Sequence, residues 1–471
     1  MTERQPLTSA LAASLATVGI ERATEAGVRM AMLAIIDTVG VTLAGSVEPA
    51  VTILRKTLVN HASVGPALIF GDRRRIGILE AALVNGTASH AIDYDDMAEA
   101  MGGHPSVPVV PVVMALGESL NVSGRDLIDA YIVGFEAECR LGRVVHPHHY
   151  EKGWHPTSTL GVFGAAAAAA RLLKLDQART ATALALCASL ASGVKANFGT
   201  MTKPLHVGHC ARNGLFAALL AQDGFTANPG ALEHKQGFFA AYDDLENVHL
   251  EHMIRGETEP LEIEHPNFGL KQFPCCGSTH PAILAMLALA EREHLTAREI
   301  ETIDIQVDRQ RLPHTDNPAP KTALGAKFSI QYAAVRALID GAPRLNHFEG
   351  GAYLEPEVRR LLARTTASPL PEASRDMSDR FAAEVSVTTR DGRRLTGRVV
   401  GALGRGPTNP MSDSEMWAKF HDCASLALPD ASVSQAYEAL NRLDRLDGVS
   451  SLTRILEQVS PAPQPLETTA R

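Results

Sequence analysis

Apolar residues recur at helical spacing through most of the first 265 positions of this chain. Residues 6 to 60 read as helices, and the run from Arg29 to Ser46 (RMAMLAIIDTVGVTLAGS) ends on Gly45 as a helix should. The run LEAALVNGTASHA continues the pattern with small residues that suit close helix packing. A helix is predicted to open around Pro108 and Pro111 and run to Leu120, and another to start after Ser123, a candidate cap. Two alanine-rich helices follow, GVFGAAAAAARLLKL and QARTATALALCASLASG, and a further helix over 208–222.

The period changes near Pro266. A helix from Thr279 to Glu293 precedes a strand-like alternation from Ile300 to Asp308, and Ala323 to Ile339 reads as a helix. Glu384 to Val400 reads as a hairpin whose Asp391-Gly392 pair signals a type I′ turn. After Gly404 helical runs return (SEMWAKFHDCASLAL, VSQAYEALNRLD). The pattern therefore predicts a mainly α protein: a large helical domain built from both ends of the chain, 1–268 and 403–460, with a smaller α+β lid domain at 269–402. Residues 461–471 read as a disordered tail.

Composition adds exclusions. At 471 residues two domains are expected. With 44 basic against 53 acidic residues and no long run of either sign, nucleic acid is not an expected partner. No uninterrupted run of about 20 apolar residues stands out, so no membrane span is expected. Six cysteines without a C-x-x-C pair suit buried thiols in a reduced cytoplasmic protein.

Several stretches carry candidate chemistry. SHAIDYDDMAEAMGGHPS packs Asp93, Asp95 and Asp96 into four positions and then places His104 on a loop shaped by Gly102, Gly103 and Pro105. Carboxylates this dense need solvent, cations or a proton between them. They are either a solvated acidic helix end or part of a site. GWHPTSTLG sets His155 just before a helix, with Thr157, Ser158 and Thr159 available as caps and the helix start as an anion site. Lys203 lies between a Gly-Thr loop and the next helix, and Lys271 in KQFPCCG at the expected domain junction. Tyr332 sits on an otherwise apolar helix, the usual setting of a core tyrosine. His146, His148 and His149 cluster, and His206 lies three residues from His209, but no complete metal-ligand motif accompanies them. No metal and no cofactor are expected.

Together HAIDYDDM with GHPS, GWHPTSTLG, MTKPLHVGHCARNG, KQFPCCGSTH and AKFSIQYA resemble the MmgE/PrpD family, from the first helices to about residue 450. That family includes 2-methylcitrate dehydratases, cis-aconitate decarboxylases and an iminodisuccinate epimerase. The resemblance implies a metal-independent homodimer with a helical domain and an α+β lid. It implies active-site positions at Asp93, His104, His155, Lys203, Lys271 and Tyr332, with Met97 and Thr157 beside the substrate, and the first five of these are expected to converge on one cleft between the domains. Met97 departs from the threonine that often follows the Asp-Asp pair in the family.

The reaction expected is dehydration of a small 2-hydroxy polycarboxylate of the 2-methylcitrate type. A histidine would act as general base, Lys203 and Lys271 would hold spectator carboxylates, Asp93 would orient a histidine, and Tyr332 would protonate a leaving hydroxyl. The alternatives are decarboxylation of a cis-aconitate-like acid, epimerisation of an iminodisuccinate-like acid, a carboxylate-binding protein without turnover, and a metal hydrolase. The apolar alanine-rich helix from Gly161 to Leu175 is a further reason to expect a homodimer.

Overall fold

The structure is a computed structural model that describes residues 6–58, 61, 63–256, 258–371, 382–400 and 404–460. The expected tail at 461–471 lies outside the described residues. The chain forms two units: one from 1–91, 105–263 and 413–471, the other from 92–104 and 264–412. The sequence pattern puts the boundaries at 268/269 and 402/403 and keeps 92–104 with the helices. In the structure that segment goes with the second unit, because Met97–Ala98 pairs antiparallel with Phe268–Gly269. The ammonium of Lys327 also donates to the Ile92 carbonyl, at 2.6 Å.

The first unit is mainly helical. Its central helix, Glu25–Gly45, is capped by the Thr24 hydroxyl, which accepts from the Gly27 N–H, and is buried from Met30 to its end. By length and composition it would pass for a membrane span, yet most of it is buried inside the protein. Its one buried acid, Asp37, lies 2.5 Å from the Lys419 amine of Asp413–Ala424. Ser123 caps Gly124–Val145 as expected, accepting from Asp126 N–H. The small residues allow close helix contact: a Cβ on Gly208 would lie 2.1 Å from the Leu83 carbonyl oxygen, so Thr202–Gln222 packs directly on Ile78–Ser89.

Two features of this unit depart from the pattern reading. A two-stranded antiparallel sheet, Val64–Leu68 with Arg75–Ile76, interrupts the helices. The alanine-rich helix Gly161–Leu172 is buried among Ser106–Leu120, Gly124–Val145 and Thr202–Gln222 of its own chain. Its apolarity is satisfied within the unit and supplies no argument for a second copy.

In the second unit four strands run in the order 365–369, 300–307, 383–389, 394–399. The first pair is parallel and the others antiparallel. Ile300–Val307 alternates buried and less buried positions as its sequence demands, and Ile303, Ile305 and Val307 enter a core with Ile283, Met286, Leu289 and Val335. The hairpin turn differs from the type I′ expectation. A type I′ turn needs positive φ at both central residues, and here Gly392 (φ +89°) has it while Asp391 does not. The Thr389 N–H instead bonds the Arg393 carbonyl across a three-residue loop.

Candidate active site

In the second unit the acidic stretch is buried: Asp93 is 7% exposed, Asp95 0% and Asp96 1%. That removes the reading of a solvated helix end. Each of two carboxylates faces a partner able to carry positive charge. Asp93 takes a left-handed backbone (φ +58°), and Lys271 Nζ donates to its carbonyl oxygen at 2.7 Å while lying 3.3 Å from its Oδ2. Burial opposes the Lys271 charge, but the Asp93 and Asp95 carboxylates outweigh it and hold the pKa above the usual lysine value.

His104 Nδ1 sits 2.6 Å from the Asp96 carbonyl oxygen and 3.0 Å from Asp95 Oδ2. Both atoms are acceptors, so Nδ1 carries a hydrogen. The carboxylate that the structure sets against His104 Nδ1 is that of Asp95. Met97 lies against Gly277, where a Cβ would come within 2.3 Å of the methionine sulfur. The thioether therefore occupies the space above a residue with no side chain.

Tyr332 is elsewhere in this unit and belongs to its core. Its hydroxyl donates to the His347 carbonyl and accepts from Arg336 Nε at 3.0 Å, and its ring meets Phe348 edge-on. Burial pushes its pKa up. A phenol committed in this way is a structural group, so the structure does not support the catalytic role implied for Tyr332.

In the first unit His155 is 3% exposed and begins Pro156–Thr159. Two of the three hydroxyls after it, those of Ser158 and Thr159, are engaged elsewhere. Ser158 Oγ donates to the Ser192 carbonyl at 2.6 Å and to the His206 carbonyl at 3.0 Å, and Thr159 Oγ1 meets His149 Nε2. The Ser158 and Thr159 N–H groups both go to the His155 carbonyl, which leaves them no part in binding an anion at this helix start. Thr157 is fully buried. The His155 N–H reaches the carbonyl of Gly193, whose φ of +122° disfavours any side chain. A Cβ there would also press on Ser158 and His206.

Around the His155 ring three groups close in. His90 stacks on it with centroids 5.5 Å apart, Phe198 meets it edge-on at 4.8 Å, and His206 Nδ1 lies 3.2 Å from its Nδ1. Lys203, one turn before His206, is 9% exposed, with its amine 5.6 Å from the Phe198 ring centre. It is not a solvated surface lysine.

Two of the clustered histidines, His148 and His149, are engaged by neighbouring groups. Burial lowers His149 to a pKa of about 4, and its ring packs among Trp154, Phe238 and Tyr242. His148 Nδ1 bonds Asp243. His148, Asp243 and Asp244 stand close enough to hold a cation, but Lys152 already lies 3.2 Å from Asp244. All six cysteines are free thiols, and burial pushes Cys275 up to about 12.

Sequence reasoning thus reaches Asp93, His104, Met97 and Lys271 in one unit and His155, Thr157 and Lys203 in the other, and misses Asp95 and His206 as partners of the histidines. The signal for His206 is its place three residues after Lys203 on one helix.

Each unit thus holds a buried lysine and a histidine whose Nδ1 is engaged. The MmgE/PrpD N-terminal domain matches residues 9–251 and the MmgE/PrpD C-terminal domain residues 273–444. The chain belongs to the MmgE/PrpD family. It is 30% identical over 469 residues to the cis-aconitate decarboxylase of Homo sapiens, spanning 97% of this chain and 95% of that protein. It is 28% identical over 430 residues to the cis-aconitate decarboxylase of Aspergillus terreus, 85% of each chain. With the cis-aconitate decarboxylase-like protein oryM of Aspergillus oryzae it shares 26% identity over 443 residues, 90% of this chain and 91% of that one.

Proposed function

We propose that this MmgE/PrpD lyase decarboxylates a cis-aconitate-like tricarboxylate. The observation that carries the reading is that each unit holds a buried lysine and an imidazole whose Nδ1 is already engaged. Two further points favour decarboxylation over the dehydration expected first. Relatives covering nearly the whole chain are named as decarboxylases. Dehydration also needs an acid for the leaving hydroxyl, and the Tyr332 hydroxyl offered for it is held by His347 and Arg336.

The chemistry then runs as follows. In such an acid the departing carboxylate sits on a CH2 next to the C=C bond. As its C–C bond breaks, carbon dioxide leaves and the electron pair forms a new C=C bond to the central carbon. The old π pair moves to the carbon beside another carboxylate, and that carbon takes a proton. The intermediate carries extra negative charge on a carboxylate-bearing carbon, so fixed cations lower the barrier. Lys203 and Lys271 are the cations proposed for the carboxylates that stay. The proton comes from an imidazolium, His104 or His155, which leaves a neutral imidazole and is reloaded from water.

The test is NMR of the protein with cis-aconitate and a panel of related hydroxy acids in deuterated water. The expected result is loss of carbon dioxide from cis-aconitate, with one deuterium in the methylene of the product. Loss of water from a 2-methylcitrate-like acid without carbon dioxide would overturn the proposal in favour of dehydration. Exchange or inversion at an unbroken carbon skeleton would overturn it in favour of epimerisation.

A further inference from the structure

We propose that His206 is a positioning residue that fixes the proton of His155 on Nδ1, so that Nε2 is the nitrogen that gives its proton to the substrate. The inference rests on the decarboxylase reading for its activity test, but not for its structural one.

The geometry leaves few choices. The two Nδ1 atoms lie 3.2 Å apart, a distance at which one must donate and the other accept. The other faces of the His155 ring are covered by stacked His90 and edge-on Phe198, so the ring is held in one plane. The His206 backbone is pinned as well, since its carbonyl accepts from Ser158 Oγ at 3.0 Å, and Ser158 also holds the Ser192 carbonyl beside Gly193. The two imidazoles thus face each other from separately anchored backbones.

The direction of the bond follows from the protonation state. A His155 able to give a proton from Nε2 is an imidazolium with hydrogen on both nitrogens, so at 3.2 Å its Nδ1 must donate and the Nδ1 of His206 must accept; burial, His209 and Lys203, which lower the pKa of His206, accord with that acceptor role. A neutral His206 with its hydrogen on Nε2, the form preferred by free imidazole side chains in water, offers a lone pair at Nδ1. His155 then donates from Nδ1. When His155 is an imidazolium, its Nδ1–H stays with His206 and its Nε2–H is the proton that can leave. Transfer to carbon converts imidazolium to neutral imidazole, with no proton demanded of His206. This places His155 in the same state as His104, whose Nδ1 hydrogen is fixed by Asp95 and the Asp96 carbonyl.

Two variants and one spectroscopic reading test the assignment. His206→Asn places an amide oxygen near the position of Nδ1 and keeps an acceptor, whereas His206→Leu removes it at a half-buried helical site where leucine is tolerated. With cis-aconitate, His206→Leu is expected to lower kcat on the order of a hundredfold with little change in KM, and His206→Asn to recover most of that loss. Nitrogen NMR of labelled histidine in the resting protein, at a pH where His155 is neutral, should show His155 as the Nδ1–H tautomer. In His206→Leu it should revert to Nε2–H. A wild-type His155 found as Nε2–H would overturn the inference, as would wild-type kcat in His206→Leu or equal losses in the two variants. If the wild-type protein leaves cis-aconitate untouched, the functional reading fails, and the tautomer measurement decides this inference by itself.

Discussion

Replacing Lys271 by methionine keeps most of the stem volume and removes an ammonium that is 1% exposed. Asp93 then loses the group that meets its carbonyl at 2.7 Å and its carboxylate at 3.3 Å, while staying 7% exposed. Deleting one partner of a buried ion pair costs about 3–5 kcal/mol, because the charge left behind stays desolvated. For a unit of about 150–250 residues each kcal/mol moves Tm by roughly 2–4 °C, so Lys271→Met should melt about 6–20 °C early. Adding Asp93→Asn removes the stranded charge and should return part of the loss, with a coupling of about 1–3 kcal/mol. The pH dependence has a defined sign. The folded pKa of Lys271 is raised above the usual 10.5, so the pair contributes fully below that value and is lost only as pH rises through the folded one. Thermal melts of wild type, both single variants and the double variant from pH 6 to 10 provide the assay. A melting loss under about 2 °C, or a gap between wild type and Lys271→Met that closes near neutral pH, would refute the reasoning.

Three other predictions concern separate residues. Lys203→Ala should raise KM about ten- to a hundredfold, the value of one charge-assisted contact, whereas His104→Gln and His155→Gln should lower kcat by about 10²–10⁴. Normal turnover in both histidine variants would rule out imidazole catalysis. Tyr332→Phe should leave kcat unchanged and cost about 1–3 kcal/mol of stability, since Arg336 and the His347 carbonyl lose their partner; a large fall in kcat at wild-type stability would restore Tyr332 to the reaction. His149, lowered to about 4 in the folded protein against 6.5 otherwise, takes up its proton more readily when unfolded. Its neutral burial therefore contributes above pH 6.5 and is lost as pH falls towards 4, by about 2–4 kcal/mol. His149→Gln should flatten that part of the stability–pH curve.

Helical periods were legible because long amphipathic and small-residue runs report their own packing, and the strand at 300–307 because one face is buried. Short pairings were not. Val64–Leu68 contains Gly and Pro and shows no alternation, and Thr365–Pro369 is an edge strand with one buried residue. The turn at Asp391-Gly392 was located correctly, but its type depends on a register one residue longer than the dipeptide suggests. At the site, residue types announced the chemistry while partners stayed hidden. Asp93, Asp95 and Asp96 are equivalent in sequence, and only a left-handed backbone at Asp93 separates the carboxylate on Lys271 from the one on His104. For Tyr332 the motif match says nothing of where the hydroxyl donates, and the structure turns it to the His347 carbonyl.

The ion pair between Asp37 and Lys419 also bears on synthesis at the ribosome. These residues are 382 positions apart, and the pair lies inside a unit whose last segment starts only at Asp413. At about 5–20 residues per second, the helix around Asp37 waits roughly 20–80 s for its cation to emerge. Through that interval a long apolar helix bearing an acid is present without Asp413–Ala424 to pack on it. Nascent chains stalled before residue 413 should therefore recruit holdase chaperones, and those extended past residue 456 should release them.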